Sequence, residues 1–276
     1  MPELPEVETV RRGLMERVVG DRIVSVWLGD KPEPFRSARQ EIVRVLVGAR
    51  IGAVRRMGKH IVMDLEPRAS DPRSATGDGR QSLIIHLGMT GAVQVALPEA
   101  DTLKHTHAVM HLDSGKEIRF VDPRRFGRIW IGSDFETIGM EPLLVTFEQF
   151  AMLFRGRKTP IKSALLNQKL LRGLGNIYAD ESLFRACIRP RRRTASLTRA
   201  EMDRLFEAVR QVLRAAIAAG GSSISDYFDV EGEPGLFQTR HRVYAREGKP
   251  CLVCRTPIKR IVVAGRGTHY CPECQK

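Results

Sequence analysis

Two groups of residues in this 276-residue chain have the types and spacing to do chemistry. The first is the pair of motifs Cys251-x-x-Cys254 and Cys271-x-x-Cys274, separated by 16 residues. Each motif offers two thiolates from one tight turn, and four thiolates complete the tetrahedral shell of a zinc ion. No coordination position is then left for water or substrate, so one structural zinc is expected rather than a catalytic one. A redox dithiol is the competing reading of either motif alone, and the doubled motif at this spacing argues against it. The segment from Arg240 onward is too short to bury much core, so zinc is expected to supply much of its folding free energy. The second group is the amino terminus, Met1-Pro2-Glu3-Leu4-Pro5-Glu6-Val7-Glu8. If Met1 is removed, Pro2 presents a secondary amine. An α-amino group titrates at about 7.7–8 against about 10.4 for lysine, so far more of it is neutral near pH 7. Such an amine attacks an aldehyde-level carbon to give a cationic iminium, an electron sink for elimination. Glu3, Glu6 and Glu8 stand close by as candidate acids or bases. The plainer reading is a well-capped helix that starts with proline. If Met1 is retained, the Pro2 nitrogen is an amide and the amine chemistry is closed.

Two further candidates carry less. His105, His107 and His111 invite a metal reading and would share one face of a strand. No carboxylate or cysteine accompanies them at fixed spacing, so a polar or partner-facing strand is expected instead. Cys187 is expected to be a small buried residue.

The charge balance says what such groups would act on. The chain has 45 basic and 32 acidic residues, a net charge of +13 and a pI near 10.0. Residues 155–214 hold 15 basic residues against five acids, a local net of +10. Residues 240–276 carry +7, so the remainder is slightly acidic. This excludes an ordinary acidic enzyme and points to a polyanionic partner, nucleic acid first. A membrane surface is the rival, but no amphipathic helix sets bulky aromatics opposite a basic face. No apolar run is long enough to span a bilayer, and the acidic, proline-rich start is no signal peptide. A cytoplasmic protein is expected.

These groups must be positioned by elements the pattern reveals. Pro5 with Glu6 and Glu8 opens a helix in which Val7, Val10, Leu14 and Val18 recur at helical spacing. From residue 22 to about 133 the texture is short β-rich runs, among them 23–27, 60–65, 83–87, 92–95, 108–112 and 117–121. Asp113-Ser114-Gly115 is a hairpin-turn signal between the last two. Many short strands predict a sandwich or barrel. The 66–81 stretch, rich in Pro, Ser, Gly and Arg, reads as a loop. After Gly139 the chain turns helical. Thr198-Arg199-Ala200-Glu201 is a capping box. Met202, Leu205, Phe206, Val209, Val212, Leu213, Ala216 and Ile217 form one apolar stripe behind it, and Gly220-Gly221 stops the helix. Residues 222–238 read as a second long loop.

At this point particular motifs go beyond generic patterns. Residues 1–10, Met1-Pro2-Glu3-Leu4-Pro5-Glu6-Val7-Glu8-Thr9-Val10, resemble the opening of the bacterial formamidopyrimidine-DNA glycosylases. So do His86-Leu87-Gly88-Met89-Thr90-Gly91, Asp122-Pro123-Arg124-Arg125-Phe126-Gly127 and Gly173-Leu174-Gly175-Asn176-Ile177-Tyr178-Ala179-Asp180-Glu181. With the terminal cysteine motifs these follow the family's order along essentially the whole chain. The resemblance implies an α+β multidomain protein with three parts. They are an N-terminal β-sandwich with flanking helices (1–135), a helical helix–two-turns–helix domain with a lesion-capping loop (136–238) and a four-cysteine zinc finger (239–276). It implies a monomeric, bifunctional enzyme acting on duplex DNA that contains oxidised bases or abasic sites, excising oxidised purines and then cutting the strand. By resemblance, Pro2 is the nucleophile that forms a Schiff base at the sugar C1′, and Glu3 protonates the sugar ring oxygen. Lys59 assists β-elimination, and Arg266 is tied to δ-elimination. Met89, Arg124 and Phe126 match residues that fill the void left by an extruded nucleotide. His105, Arg157, Lys162 and Asn176 match positions that contact DNA phosphates or the lesion strand. Residues 222–238 match the loop that closes over the flipped base.

The 66–81 segment looks longer than the family usually has. The nearest rival is the endonuclease VIII-type branch, which prefers oxidised pyrimidines and usually has glycine where this chain has Leu4. A non-catalytic zinc-ribbon DNA-binding protein is the rival of a different class, and it has no need of Pro2, Glu3, Lys59 and Arg266 together.

Overall fold

Helix α1 (Leu4–Val18) begins one residue after Glu3, its N-cap, as the proline and acids predict. A capping box closes its first turn: the Glu6 carboxylate reaches back to accept the Glu3 N–H at 2.8 Å. Val7, Val10, Leu14 and Val18 are buried on one stripe, each contributing about 1.5–3 kcal/mol of hydrophobic stabilisation. The computed structural model describes residues 1–66, 81–133, 135–224 and 227–276. The loop expected at 66–81 lies outside the described residues apart from its ends, which belong to strands.

The stripe of α1 joins a core between two antiparallel four-stranded sheets. One has the order β1-β6-β7-β5, from β1 (Ile23–Leu28), β5 (Ala92–Ala96), β6 (Thr106–Leu112) and β7 (Glu117–Val121). The other has the order β2-β3-β4-β8, from β2 (Arg50–Met57), β3 (His60–Glu66), β4 (Gln81–His86) and β8 (Arg128–Ser133). Ile61, Met63, Leu65, Leu83 and Ile85 from the second sheet meet Ile23, Met110, Ile118 and Phe120 from the first in that core. The alternate residues of β3 and β4 face the other way, where His60 lies directly opposite His86. This is the sandwich that the short β-rich runs predict. Helix α2 (Arg39–Leu46) lies within the same stretch and buries Ile42, Val45 and Leu46.

The remaining α-helices among the described residues are α3 (Phe147–Phe154), α4 (Ile161–Leu166), α5 (Asn176–Arg185) and α6 (Arg199–Ala218). The capping box of α6 is present, with the Thr198 hydroxyl accepting the Glu201 N–H at 3.2 Å. Arg192 donates twice to the Glu201 carboxylate, at 2.5 and 3.0 Å, and pulls it down to about 2. Beyond α6, Gly220 and Gly221 take φ of +72° and +84°, the left-handed conformation that stops a helix at little cost. A two-stranded ribbon of β9 (Lys259–Val263) and β10 (Arg266–Tyr270) carries the last part of the chain. Among the described residues, no helix is long and apolar enough to cross a membrane.

The chain packs as two units where the sequence suggests three parts. Residues Met1–Glu136 and Gly220–Gly235 form one, Thr137–Ala219 and Leu236–Lys276 the other. The reason in the first unit is a set of long-range bonds to α1 and β5. The Ser222 N–H donates to Glu6 Oε1 at 2.8 Å, the Tyr227 hydroxyl to the Glu6 carbonyl at 3.3 Å, and the Val95 N–H to the Val230 carbonyl at 3.0 Å. Tyr227 and Val230 are themselves core residues of the sandwich. In the second unit two acids of α5 hold the cysteine-rich segment. The Glu181 carboxylate accepts the N–H groups of Arg242, Val243 and Tyr244 at 2.8–3.1 Å. Asp180 Oδ2 accepts the His269 N–H at 2.8 Å.

Candidate functional site

At the start of α1, Pro2 is buried, Met1 is 54% exposed, and Glu3 and Glu6 are almost wholly buried. Glu6 joins the chain start to the 220–235 segment, since its two oxygens take the N–H groups of Glu3 and Ser222. Two residues further on, burial would raise the Glu8 carboxyl, but Arg11, Arg12 and Arg56, at 2.7, 3.0 and 3.0 Å, hold it below the usual range. Arg56 also donates to the Gly58 carbonyl at 3.1 Å. Gly58 and Lys59 form the β2–β3 turn, so an ion pair ties the turn bearing Lys59 to the helix that begins behind Pro2. On the outer face of the second sheet, the rings of His60 and His86 lie 4.9 Å apart. Burial pushes His86 down to about 4 and His60 below its ordinary value, with Lys59 adding to both, so the His86 ring is neutral at pH 7.

Met89, Arg124 and Phe126 project from two turns of the first unit. Met89 and Phe126 are 40% and 48% exposed, although such residues usually sit inside. The Arg124 guanidinium stacks over the Phe126 ring at 4.8 Å. The turns are held together by Asp122, which is fully buried between them. His105 is exposed at the entry to β6, with φ of +70°, and its carbonyl accepts the Asp122 N–H at 3.0 Å. The three histidines do not share a strand face, contrary to expectation. β6 bulges between Thr106 and Ala108, His107 is buried with Nε2 2.9 Å from the Asp122 carbonyl, and His111 pairs with Glu117 at 3.0 Å.

The second unit places the other candidates. Arg157 is exposed, with Nε donating to the Leu153 carbonyl at 2.6 Å. Asn176 opens α5 and its side-chain amide donates to the Gly267 carbonyl at 3.0 Å. Arg266 is exposed at the start of β10, after the turn Ala264-Gly265. Lys162 requires a correction. It is wholly buried, with Nζ 2.7 Å from Asp180 Oδ1 and donating to the Gly267 carbonyl and the Thr268 hydroxyl at 3.0 and 2.8 Å. A lysine so enclosed ties α4, α5 and β10 together and cannot meet a phosphate. Lys162→Met is therefore expected to cost about 3–5 kcal/mol, because it leaves Asp180 buried without its cation. Melting should fall by roughly 10 °C. A phosphate contact would leave melting unchanged and lower the salt slope of DNA binding by about one. Cys187 is also corrected: it is exposed, at a φ of +60° just past α5.

The four sulfurs of Cys251, Cys254, Cys271 and Cys274 lie within 4.8 Å of one another, with Cys254–Cys271 and Cys251–Cys274 at 3.4 and 3.9 Å. Four sulfurs at about 2.3 Å from a central zinc stand about 3.8 Å apart, so the set fits that ion. Backbone N–H groups of Val253 and Cys274 donate to the Cys251 and Cys271 sulfurs at 3.4 Å, the outer support such thiolates need. Among the described residues this is the only such cluster of potential ligands.

Three family models match in order. They are the formamidopyrimidine-DNA glycosylase N-terminal domain over residues 1–129, its H2TH domain over 138–227, and the zinc finger found in FPG and IleRS over 248–276. A formamidopyrimidine-DNA glycosylase of Solibacter usitatus is 46% identical over 287 aligned residues that cover all of both chains. The chain belongs to the formamidopyrimidine-DNA glycosylase family. Solved structures agree. A Lactococcus lactis FPG mutant in complex with Fapy-dG containing DNA covers all of both chains at 34% identity and a TM-score of 0.87. The L. lactis Fpg complex with an abasic site containing DNA covers 99% of each at 34% identity and 0.86. This DNA glycosylase thus has the sandwich, H2TH and zinc-finger architecture and holds one structural zinc in its four cysteines.

Reading the glycosylase by residue type misses three acids that the structure makes important: Asp122, Asp180 and Glu181. A turn signal was available for the first, because Asp ahead of Pro-x-x-Phe-Gly readily accepts backbone N–H groups a few residues on. Asp180 and Glu181 bond residues more than 60 positions away, which no local pattern reports.

Proposed function

We propose that this glycosylase excises oxidised purines from duplex DNA through a Pro2 Schiff base and then cleaves the abasic site by β- and δ-elimination. The reading rests most on one juxtaposition: Pro2 lies buried at the N-terminal end of α1, beside a buried Glu3. Once Met1 is removed, burial and the positive end of the helix dipole both favour the neutral, nucleophilic amine. Its lone pair attacks C1′, the base departs with the glycosidic electron pair, and Glu3 supplies the proton that opens the sugar ring at its oxygen. The iminium then acidifies the C2′ hydrogen. Lys59 assists its removal with expulsion of the 3′ phosphate, and Arg266 serves the second elimination. The DNA named in the complexes of the relatives supports a duplex substrate with a damaged base or abasic site. Extrusion of the nucleotide costs a few kcal/mol, and the exposed Met89, Arg124 and Phe126 are suited to fill the vacated space. His105, Arg157, Asn176 and the basic residues of the second unit would hold the backbone. Zinc takes no part in the bond changes; it folds the segment that carries Arg266.

Borohydride trapping on 8-oxoguanine opposite cytosine, with a dihydrouracil duplex in parallel, tests this. A covalent adduct at Pro2, stronger on the purine lesion, is the expected result. A stronger pyrimidine adduct would move the specificity to the other branch. No adduct from protein lacking Met1 would overturn the lyase mechanism. Binding should also fall steeply with salt, by about 10³–10⁵ between 50 and 200 mM if six to ten phosphates are neutralised. A flat response in a filter or fluorescence titration would refute the electrostatic part.

A further inference from the structure

We propose that Asp122 is a positioning residue for base extrusion, fixing the turn that bears Met89 against the turn that bears Arg124 and Phe126. The inference rests on the function proposed above. Both oxygens of this buried carboxylate are engaged: Oδ1 accepts the Thr90 hydroxyl at 2.5 Å and the Arg124 N–H at 3.2 Å, and Oδ2 accepts the Gly127 N–H at 2.7 Å. Thr90 follows Met89 directly, whereas Arg124 and Gly127 bracket Phe126, so one side chain spans both turns. Its own backbone is fixed as well, by the His105 carbonyl and the His107 ring. Among the described residues no lysine or arginine side chain pairs with Asp122, so its charge is met by N–H and O–H dipoles of the turns it joins.

The backbones come together as closely as this bonding implies. Gly88 has φ of +65°, and a Cβ there would lie 2.5 Å from the Phe126 carbonyl carbon and the Gly127 nitrogen. Only glycine allows that approach. The result is a rigid base from which three exposed side chains project. A wedge acts on a stacked base only if its atoms arrive at fixed positions, and a misplacement of about 1 Å can cost on the order of a hundredfold in rate. Holding the turns in advance also removes the cost of ordering them on DNA. An abasic site has no base to extrude, so its cleavage depends far less on this base.

The test measures two single-turnover rates for each protein, excision of 8-oxoguanine from a duplex and cleavage of a pre-formed abasic site. Thr90→Val removes one donor with little change of shape, and Asp122→Asn weakens the whole clamp. Each is expected to lower the ratio of excision to cleavage at least tenfold, and Met89→Ala is expected to do the same. Thr90→Val added to Met89→Ala should lower that ratio less than twofold further, because both act through one wedge. If Asp122→Asn fails to fold, Thr90→Val carries the test. Proportional loss of both rates, an unchanged ratio in Thr90→Val, or full additivity with Met89→Ala would each overturn the assignment. Wild-type protein inactive on both substrates would instead overturn the proposed function, and this assignment with it.

Discussion

Glu3→Gln is expected to lower excision of 8-oxoguanine by about 10²–10⁴-fold, the usual contribution of a general acid, while trapping on a pre-formed abasic site stays within about tenfold of wild type. The difference follows from what each substrate requires. An intact nucleoside must have its ring oxygen protonated as the sugar opens, and only a proton donor in the right place provides this. An abasic sugar already equilibrates with its open aldehyde, which a neutral amine attacks unaided. Glutamine keeps the size of Glu3 and its carbonyl can still accept a hydrogen bond in the capping box, so α1 should remain intact. Gel-based rates on the two substrates, with a melting curve for each protein, decide the matter. Equal loss on both substrates with unchanged melting would refute the assignment of Glu3 as acid. A melting temperature reduced by many degrees would instead mark Glu3 as chiefly a cap.

Removing the zinc is expected to have an effect of similar size through a different route. Apparent zinc binding contributes about 10–16 kcal/mol in small finger peptides, as much as the entire stability of a typical domain. The cysteine segment is no detached appendage, because Asp180 and Glu181 of α5 accept its N–H groups from within the second unit. Without the metal these buried carboxylates lose donors, Lys162 loses Gly267 and Thr268, and Arg266 loses its hairpin. Chelation, or Cys271→Ser, should therefore lower DNA affinity at least a hundredfold and destabilise the second unit, while the circular dichroism of the sandwich persists. Unchanged affinity after verified metal loss would refute the structural role. Collapse of the β signal together with the helical signal would refute independent folding of the two units.

What is legible in the amino-acid order is what depends on near neighbours. The stripe and caps of α1 and α6, the Asp113-Ser114-Gly115 hairpin and the paired cysteine motifs can all be read within a few residues. Helix α2 is not, because its N-cap is Ala38 and no side chain bonds its first turn. Strand β2 is masked by Arg50, Arg55 and Arg56, whose charges are met by Glu66, Asp64 and Glu8 from other elements. Lys162 looks like one more cation in a basic stretch, and its burial is decided by Asp180 and by Thr268, 106 residues away. Met89 and Phe126 are legible only through the family motifs, since apolar side chains by themselves suggest a core that the turns at Gly88 and Arg125 deny them.

The return of residues Gly220–Gly235 to the first unit has a consequence for biosynthesis. When Glu136 leaves the ribosome, Glu6 has no Ser222 amide to accept, and the places of Tyr227 and Val230 in the sandwich core are vacant. Thr137–Ala219 must be made first, which at about 5–20 residues per second takes roughly 4–17 s. For that interval the nascent sandwich exposes apolar surface beside the very residues proposed to do the chemistry. The amino terminus therefore acquires its final environment only after four-fifths of the chain exists, so a truncated product cannot carry a finished active centre.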